Sequence, residues 1–171
     1  MSQTVFMHTL NDLAVRRSLG PGDADAIVEL HDRVYRLEYG RNERFVGAVA
    51  EAVDAAVKAG WPARAGAVWL IDDGERLGGS LGLTPEAPGI GRVRWFVFAP
   101  ELRGRGLGAV LIDELLEEAR ASGIERLELE TFSALKTAAR IYRSVGFELV
   151  WERDLDSWGP PIVYQHYEMR L

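Results

Sequence analysis

The chain has 171 residues, 47% of them hydrophobic, and a formal net charge of −6 from 26 acidic and 20 basic residues. That length and apolar content suffice for one domain with a buried core, and the acidic balance argues against a nucleic-acid binder, whose phosphate contacts need a basic face. Cysteine is absent, which excludes a disulfide framework, a thiolate metal site and a cysteinyl acyl intermediate.

Met1 to Asn11 carries neither the basic start nor the apolar run of a secretion signal, and the chain nowhere shows the roughly 18 uninterrupted apolar residues of a membrane span. A cytoplasmic protein with a single domain over residues 1–171 is expected. Thr9 to Ser18 reads as a first strand. Gly20-Pro21-Gly22-Asp23 is a turn opening a helix with Asp23 as N-cap, in which Ile27, Leu30, His31, Val34 and Leu37 recur at helical spacing up to Gly40. A second helix is predicted from Asn42 to Lys58, with Phe45, Val49, Val53 and Val57 four apart and Gly60 as its stop.

Ala67 to Ile71, the turn Asp72-Asp73-Gly74-Glu75 and Leu77 to Leu83 read as a β-hairpin, whose Gly78, Gly79 and Gly82 imply bulging or a close backbone approach. A loop over Pro85 to Gly91 leads to a buried strand at Val93 to Phe98. After Pro100 and a glycine-rich turn comes a helix with Leu107, Val110, Leu111, Leu115 and Ala119 on one face and Glu114, Glu117 and Glu118 on the other, ended by Gly123. Arg126 to Thr131 alternates as a strand. Ala134, Ala138, Ile141, Tyr142 and Val145 mark the inner face of a last helix, closed by Gly146 as C-cap. Phe147 to Arg153 and Ile162 to Leu171 are the final strands, around a loop holding Trp158-Gly159-Pro160-Pro161.

The chemistry concentrates at Arg103-Gly104-Arg105-Gly106-Leu107-Gly108. A strand that enters a glycine-rich turn and opens a helix converges free amide hydrogens and the helix dipole on one point, which suits a phosphate. Glycines admit the ligand close to the backbone, and Arg103 and Arg105 can add charge-assisted hydrogen bonds. A merely tight turn would need one glycine and neither arginine. A dinucleotide fold is the rival, because Glu128 lies about 20 residues beyond the glycines. The spacing, however, is G-x-G-x-G rather than G-x-G-x-x-G, and no Gly-Lys-Ser/Thr of a Walker loop follows.

Val97 to Gly108 resembles the acyl-CoA motif of the GNAT N-acetyltransferase superfamily, whose Arg/Gln-x-x-Gly-x-Gly/Ala pattern is met by Arg103, Gly106 and Gly108. Ala138 to Phe147 is similar to that family's Ala-x-x-x-Tyr-x-x-x-Gly-Phe helix. The stretches Tyr35 to Phe45 and Leu129 to Phe147 are closest in flavour to the acetyltransferase half of MarR-GNAT fusion proteins. Leu135 stands where many relatives carry Asn, and Val93 to Phe98 lacks the acidic base of some relatives.

The resemblance implies an α/β (α+β) fold: a mixed central sheet of about six to seven strands flanked by about four helices, in β-α-α-β-β-β-α-β-α-β-β order. It implies transfer of acetyl from acetyl-CoA, as co-substrate and without a metal, to a primary amine by direct attack in a ternary complex. Phe96, Val97, Phe98, Arg103, Gly104, Arg105, Gly106, Leu107, Gly108, Ala138 and Tyr142 are the expected cofactor-binding residues. Tyr142 is the candidate general acid and Glu130 the candidate base, with Glu38 also considered as base. Tyr35 and Glu38 are expected to touch the acceptor, with Tyr39 and Trp61 shaping the pocket or packing the core. His31 on an apolar face reads as a packed histidine before a base. The expected partner is a small-molecule or peptide amine; a homodimer is possible, and no nucleic acid or membrane is expected. A non-catalytic acyl-CoA sensor and a nucleotide-binding oxidoreductase are the alternative functions.

Overall fold

The computed structural model describes residues 7–171, so residues 1–6 of the Met1 to Asn11 segment lie outside it. In chain order the elements are β1 (Met7–Leu10), β2 (Leu13–Arg16), α1 (Asp23–Tyr39), α2 (Glu43–Lys58), β3 (Ala67–Asp72), β4 (Leu77–Ala87), β5 (Ile90–Phe98), a 3-10 turn (Pro100–Leu102), α3 (Leu107–Ala121), β6 (Arg126–Phe132), α4 (Lys136–Val145), β7 (Glu148–Leu155) and β8 (Ile162–Arg170). The strands form one sheet of eight in the order β1-β2-β3-β4-β5-β6-β8-β7. Every pair is antiparallel except β5 with β6. The mixed sheet with four helices is the architecture expected from the sequence, with a slightly higher strand count.

The extra strand comes from the N-terminal segment. Asn11 and Asp12 adopt φ of 48° and 65°, a two-residue turn that folds the expected single strand into a hairpin with Leu10 opposite Leu13. The expected loop over Pro85 to Gly91 is likewise mostly strand. It narrows to Pro88 and Gly89, the glycine at φ 73°, with Ala87 already paired to Ile90.

Two cores sandwich the sheet. Against α3 and α4 pack Trp69, Ile71, Leu81, Leu83, Leu127, Leu129 and Tyr167; against α1 and α2 pack Val68, Leu70, Trp95, Val97 and Phe132. Leu111, Ile112 and Leu115 of α3 have no exposed surface, and each such side chain contributes about 1.5–3 kcal/mol by burial. Glu114 and Glu118 leave the expected solvent face. Glu114 accepts from Trp69 Nε1 at 2.8 Å, and Glu118 accepts from Arg17, whose guanidinium stacks 4.0 Å from the Trp69 ring centroid.

Helix ends follow local chemistry. Asn42 caps α2, its side chain accepting from the amides of Arg44 and Phe45. Gly146 closes α4 in the left-handed conformation, as expected. Asp23, expected as N-cap, instead sits one residue inside α1 behind Gly22, and its carboxylate takes two hydrogen bonds from Arg16 at 2.7 and 3.0 Å. Leu37, Val57 and Val110 carry the right periodicity yet are 81%, 39% and 38% exposed, because each lies at the margin of its helix's buried stripe. Ala134 is also exposed and precedes α4.

Candidate active site

The site begins with a gap in the sheet. β5 and β6 pair only over Ile90–Arg126, Gly91–Leu127 and Arg92–Glu128, and beyond Arg92 they diverge. A bulge sharpens the divergence: Trp95 takes φ 51°, and the register against β4 shifts between Ser80 and Gly82. The glycines of β4 make room for it. A Cβ at Gly82 would stand 2.7 Å from the Trp95 ring, and one at Gly79 would stand 2.7 Å from Phe98. Ala99 donates to the Gly78 carbonyl at 2.7 Å, so strand alternation turns the amides of Phe96 and Phe98 away from β4, toward the gap. Val97 faces β4 and buries its side chain in the α1–α2 core.

At the end of β5 the chain opens α3 through the glycine turn. Gly104 and Gly106 sit at φ 74° and 72°, and a Cβ on either would meet nothing within 4 Å, so open space lies beside both. Gly106 caps α3 with no side-chain hydrogen bond, leaving the first-turn amides from Leu107 onward to an anion. That arrangement fits the pyrophosphate of acetyl-CoA. Gly108 answers to packing instead, since a Cβ there would meet Ile141 at 3.0 Å and Phe96 at 3.2 Å. Leu107 contributes its backbone only, its side chain being buried in the core.

The two arginines of the turn differ. Arg105 is exposed and its carbonyl accepts from Asn11 Nδ2 at 2.8 Å. Arg103 grips Glu38 with two parallel bonds of 2.7 and 2.8 Å and donates twice to the Phe98 carbonyl, at 3.0 and 2.8 Å. Glu38, expected near the acceptor, is thereby part of a clamp between the end of α1 and the end of β5.

A cavity of about 300 Å³ passes through the gap. Ala138, Tyr142, Phe96 and Leu135 line it toward α4; His31, Tyr35, Phe45 and Val49 line it toward α1 and α2. Tyr142 is 5% exposed and rests 5.9 Å from the Phe96 ring. Burial, and secondarily the neighbouring Tyr35, push its pKa well above the phenol range, so it holds its proton at neutral pH. Burial does the same to Tyr35. His31 is a packed residue: Nδ1 donates to the Ile27 carbonyl at 2.7 Å, the ring stacks on Tyr35, and burial lowers its pKa to about 4. Tyr39 packs 5.7 Å from Tyr35. Trp61 donates to the carbonyls of Ala67 and Leu83 and packs at a tilt against Trp95.

Glu130 lines the same cavity on the far side of the gap and accepts a hydrogen bond from the Tyr164 hydroxyl. Burial and the Glu130 carboxylate raise the Tyr164 pKa. His166 Nδ1 lies 3.6 Å from Glu130. Tyr164, Trp158, Phe132, Arg92 and Arg94 complete this wall, and none of them stood out in the sequence. Trp158 is carried in by the loop between β7 and β8, which Arg41 fastens through the Pro160 carbonyl at 2.8 Å and Asn42 through those of Trp158 and Ser157, each at 3.1 Å. The alternating Arg92-Val93-Arg94 within an apolar strand was the available signal. Among the described residues Glu128, His166 and Glu168 also bring one ligand-type atom each within 4.8 Å of the others, but Glu128 is held by Arg92 at 2.6 Å and His166 Nε2 lies 3.2 Å from Glu168. No helix of the described residues is long and apolar enough to cross a membrane.

Comparison with known proteins agrees with this fold. An acetyltransferase from Streptococcus agalactiae superposes with a TM-score of 0.74 at 22% identity, over 95% of this chain and 100% of that one. YncA from Salmonella typhimurium, solved with its cofactor acetyl-CoA, superposes with a TM-score of 0.68 at 18% identity, over 93% and 94% of the two chains. These likenesses show the fold. In sequence, the uncharacterized N-acetyltransferase YjgM of Escherichia coli K12 is 36% identical over 85 residues, 48% of this chain and 51% of that protein. The mycothiol acetyltransferase of Acidothermus cellulolyticus is 36% identical over 100 residues, 56% of this chain and 29% of that protein. The chain thus spans about half or less of the curated relatives' length. The acetyltransferase (GNAT) family matches residues 25–147, well over half of the sequence, and the chain belongs to that family.

Proposed function

We propose that this chain is an N-acetyltransferase that moves an acetyl group from acetyl-CoA to a primary amine, with both substrates bound together. The observation that carries this reading is the cavity through the β5–β6 gap, which joins Tyr142 on one side to Glu130 on the other. The thioester supplies an acyl carbon open to attack, and the residues around it supply the rest. The amides of Leu107 and its neighbours hold the pyrophosphate. Phe96 and Phe98 present backbone donors to the carbonyl oxygen where charge develops. Glu130 takes the proton that the ammonium must lose before its nitrogen forms the new C–N bond, the neutral phenol of Tyr142 gives its proton to the sulfur as the C–S bond breaks, and the second proton shed by the nitrogen as it becomes an amide restores the phenol. Tyr35 borders the acceptor, while Arg103 and Glu38 support the site by fixing the glycine turn to α1. The likeness to MarR-GNAT fusion proteins bears on the acetyltransferase half alone and adds nothing about the acceptor.

The test is release of free CoA thiol from acetyl-CoA over a panel of primary amines, with mass spectrometry of the products. Acetylated product at enzyme-dependent rates is expected. Tight acetyl-CoA binding without turnover of any amine would favour a sensor. Absence of acetyl-CoA binding would overturn the assignment.

A further inference from the structure

Two buried polar atoms on the acceptor side have no hydrogen-bond partner: Arg94 Nε and Thr84 Oγ1. Thr84 is 6% exposed and the Arg94 side chain 25% exposed. Leaving such groups unpaired is costly, more so for a charge, unless a ligand completes them. Sheet register puts them together. Gly82 stands opposite Arg94 and Thr84 opposite Arg92, so Thr84 is the diagonal neighbour of Arg94 on one face.

The charge balance around Arg94 is also incomplete. Its nearest carboxylate, Glu86, is 3.6 Å away and closer to Arg92, at 3.2 Å, while Arg92 is further held by Glu128. Burial and then Arg92 weaken the hold of Arg94 on its proton, only partly offset by Glu86 and Glu130. Arg94 sits where two cavities meet. The first holds Glu130; the second, of about 610 Å³, runs along the alanines of α2 and is lined by Thr84, Glu86 and Trp61, and the two share Ala48, Ala52 and Arg94. A guanidinium edge beside a hydroxyl matches a planar monoanion, and the nearby Glu86 disfavours a dianion such as phosphate.

We propose that the acceptor is an amino acid: a small molecule whose carboxylate is held by Arg94 and Thr84 and whose primary amine is thereby presented to Glu130 in the gap. This deepens the acetyltransferase reading and rests on it. Arg94 and Thr84 are specificity-determining residues here, and the chemistry at the thioester is unchanged.

The experiment compares free amino acids of varied amine-to-carboxylate spacing with their carboxamides and their decarboxylated amines, in two assays. One is CoA release; the other is calorimetric binding to the CoA-loaded protein. Free acids are expected to exceed their amides by about 10-fold or more in kcat/KM or affinity, the scale of one lost charge-assisted contact. Arg94→Gln should erase that difference while leaving acetyl-CoA binding intact; Thr84→Val should reduce it. Equal handling of acids and amides by the wild type, or a failure of every acid to bind or react while acetyl-CoA still binds, overturns the proposal and leaves the acetyltransferase reading standing. Loss of acetyl-CoA binding by the wild type instead identifies failure of that underlying reading.

Discussion

His31 makes the stability of the fold depend on pH in a defined direction. The ring is 5% exposed, donates to the Ile27 carbonyl and stacks on Tyr35 5.8 Å away, and burial lowers its pKa to about 4 from an ordinary 6.5. Between those values the unfolded chain binds a proton that the folded protein refuses, so stability falls as the pH drops through the window. A displacement of this size removes about 2 kcal/mol by pH 5 and about 3 kcal/mol by pH 4, relative to pH 7.5. Other groups titrate too, so the measurement is a difference. Urea unfolding of the wild type and of His31→Gln is followed at pH 7.5, 5 and 4. The wild type should lose about 3 kcal/mol more than the variant across the range. Parallel loss in the two proteins would refute the assignment of His31 as a neutral, buried ring.

Gly106→Asp should fold with some loss of stability, since φ 72° strains any side chain although open space surrounds its Cβ direction, yet bind acetyl-CoA at least about 100-fold more weakly by calorimetry, because a carboxylate would enter the anion site. Undiminished binding would remove the glycine turn from the cofactor site. Tyr142→Phe should lower the single-turnover rate by roughly 100-fold while acetyl-CoA affinity stays within a few fold, and an unchanged rate would exclude it as the acid. Arg103→Ala should lower the unliganded melting temperature through loss of the Glu38 fork, a cost of about 1 kcal/mol for a pair this accessible to solvent. Unaltered unliganded stability combined with a vanished CoA-induced shift would place Arg103 on a phosphate instead.

The glycine turn and the helices around it were legible because their signals are local. Gly104, Gly106 and Gly108 with the following apolar helix announce a strand-turn-helix, and Gly146 marks the end of α4 from within one turn of sequence. The opposite wall of the cavity is assembled from afar. Arg94, Glu130, Trp158 and Tyr164 come from β5, β6, a loop and β8, and they converge only through sheet order and the insertion of β8 between β6 and β7. The bulge at Trp95 is equally silent, since an aromatic residue in the left-handed region carries no local signature. Helical periodicity overreached at Leu37, where the stripe continues past the surface it covers. Asn11-Asp12 shows the reverse: both residues tolerate positive φ, and the hairpin they form interrupts what reads as one strand.

The narrow parallel seam between β5 and β6 divides the sheet into two leaves. β1 to β5 each pair with their sequence neighbour, through short connections except between β2 and β3, where α1 and α2 intervene; in the second leaf β8 reaches β6 across α4 and β7. With three residue pairs stitching the leaves together, local opening along the seam requires fewer broken bonds than opening at any other junction except β2–β3, which has two. A ligand that spans the gap therefore acts as a fastener. On acetyl-CoA binding, amide hydrogen exchange should slow most along β6 and the outer edge of β5, and least in the β3–β4 hairpin, which already holds itself closed.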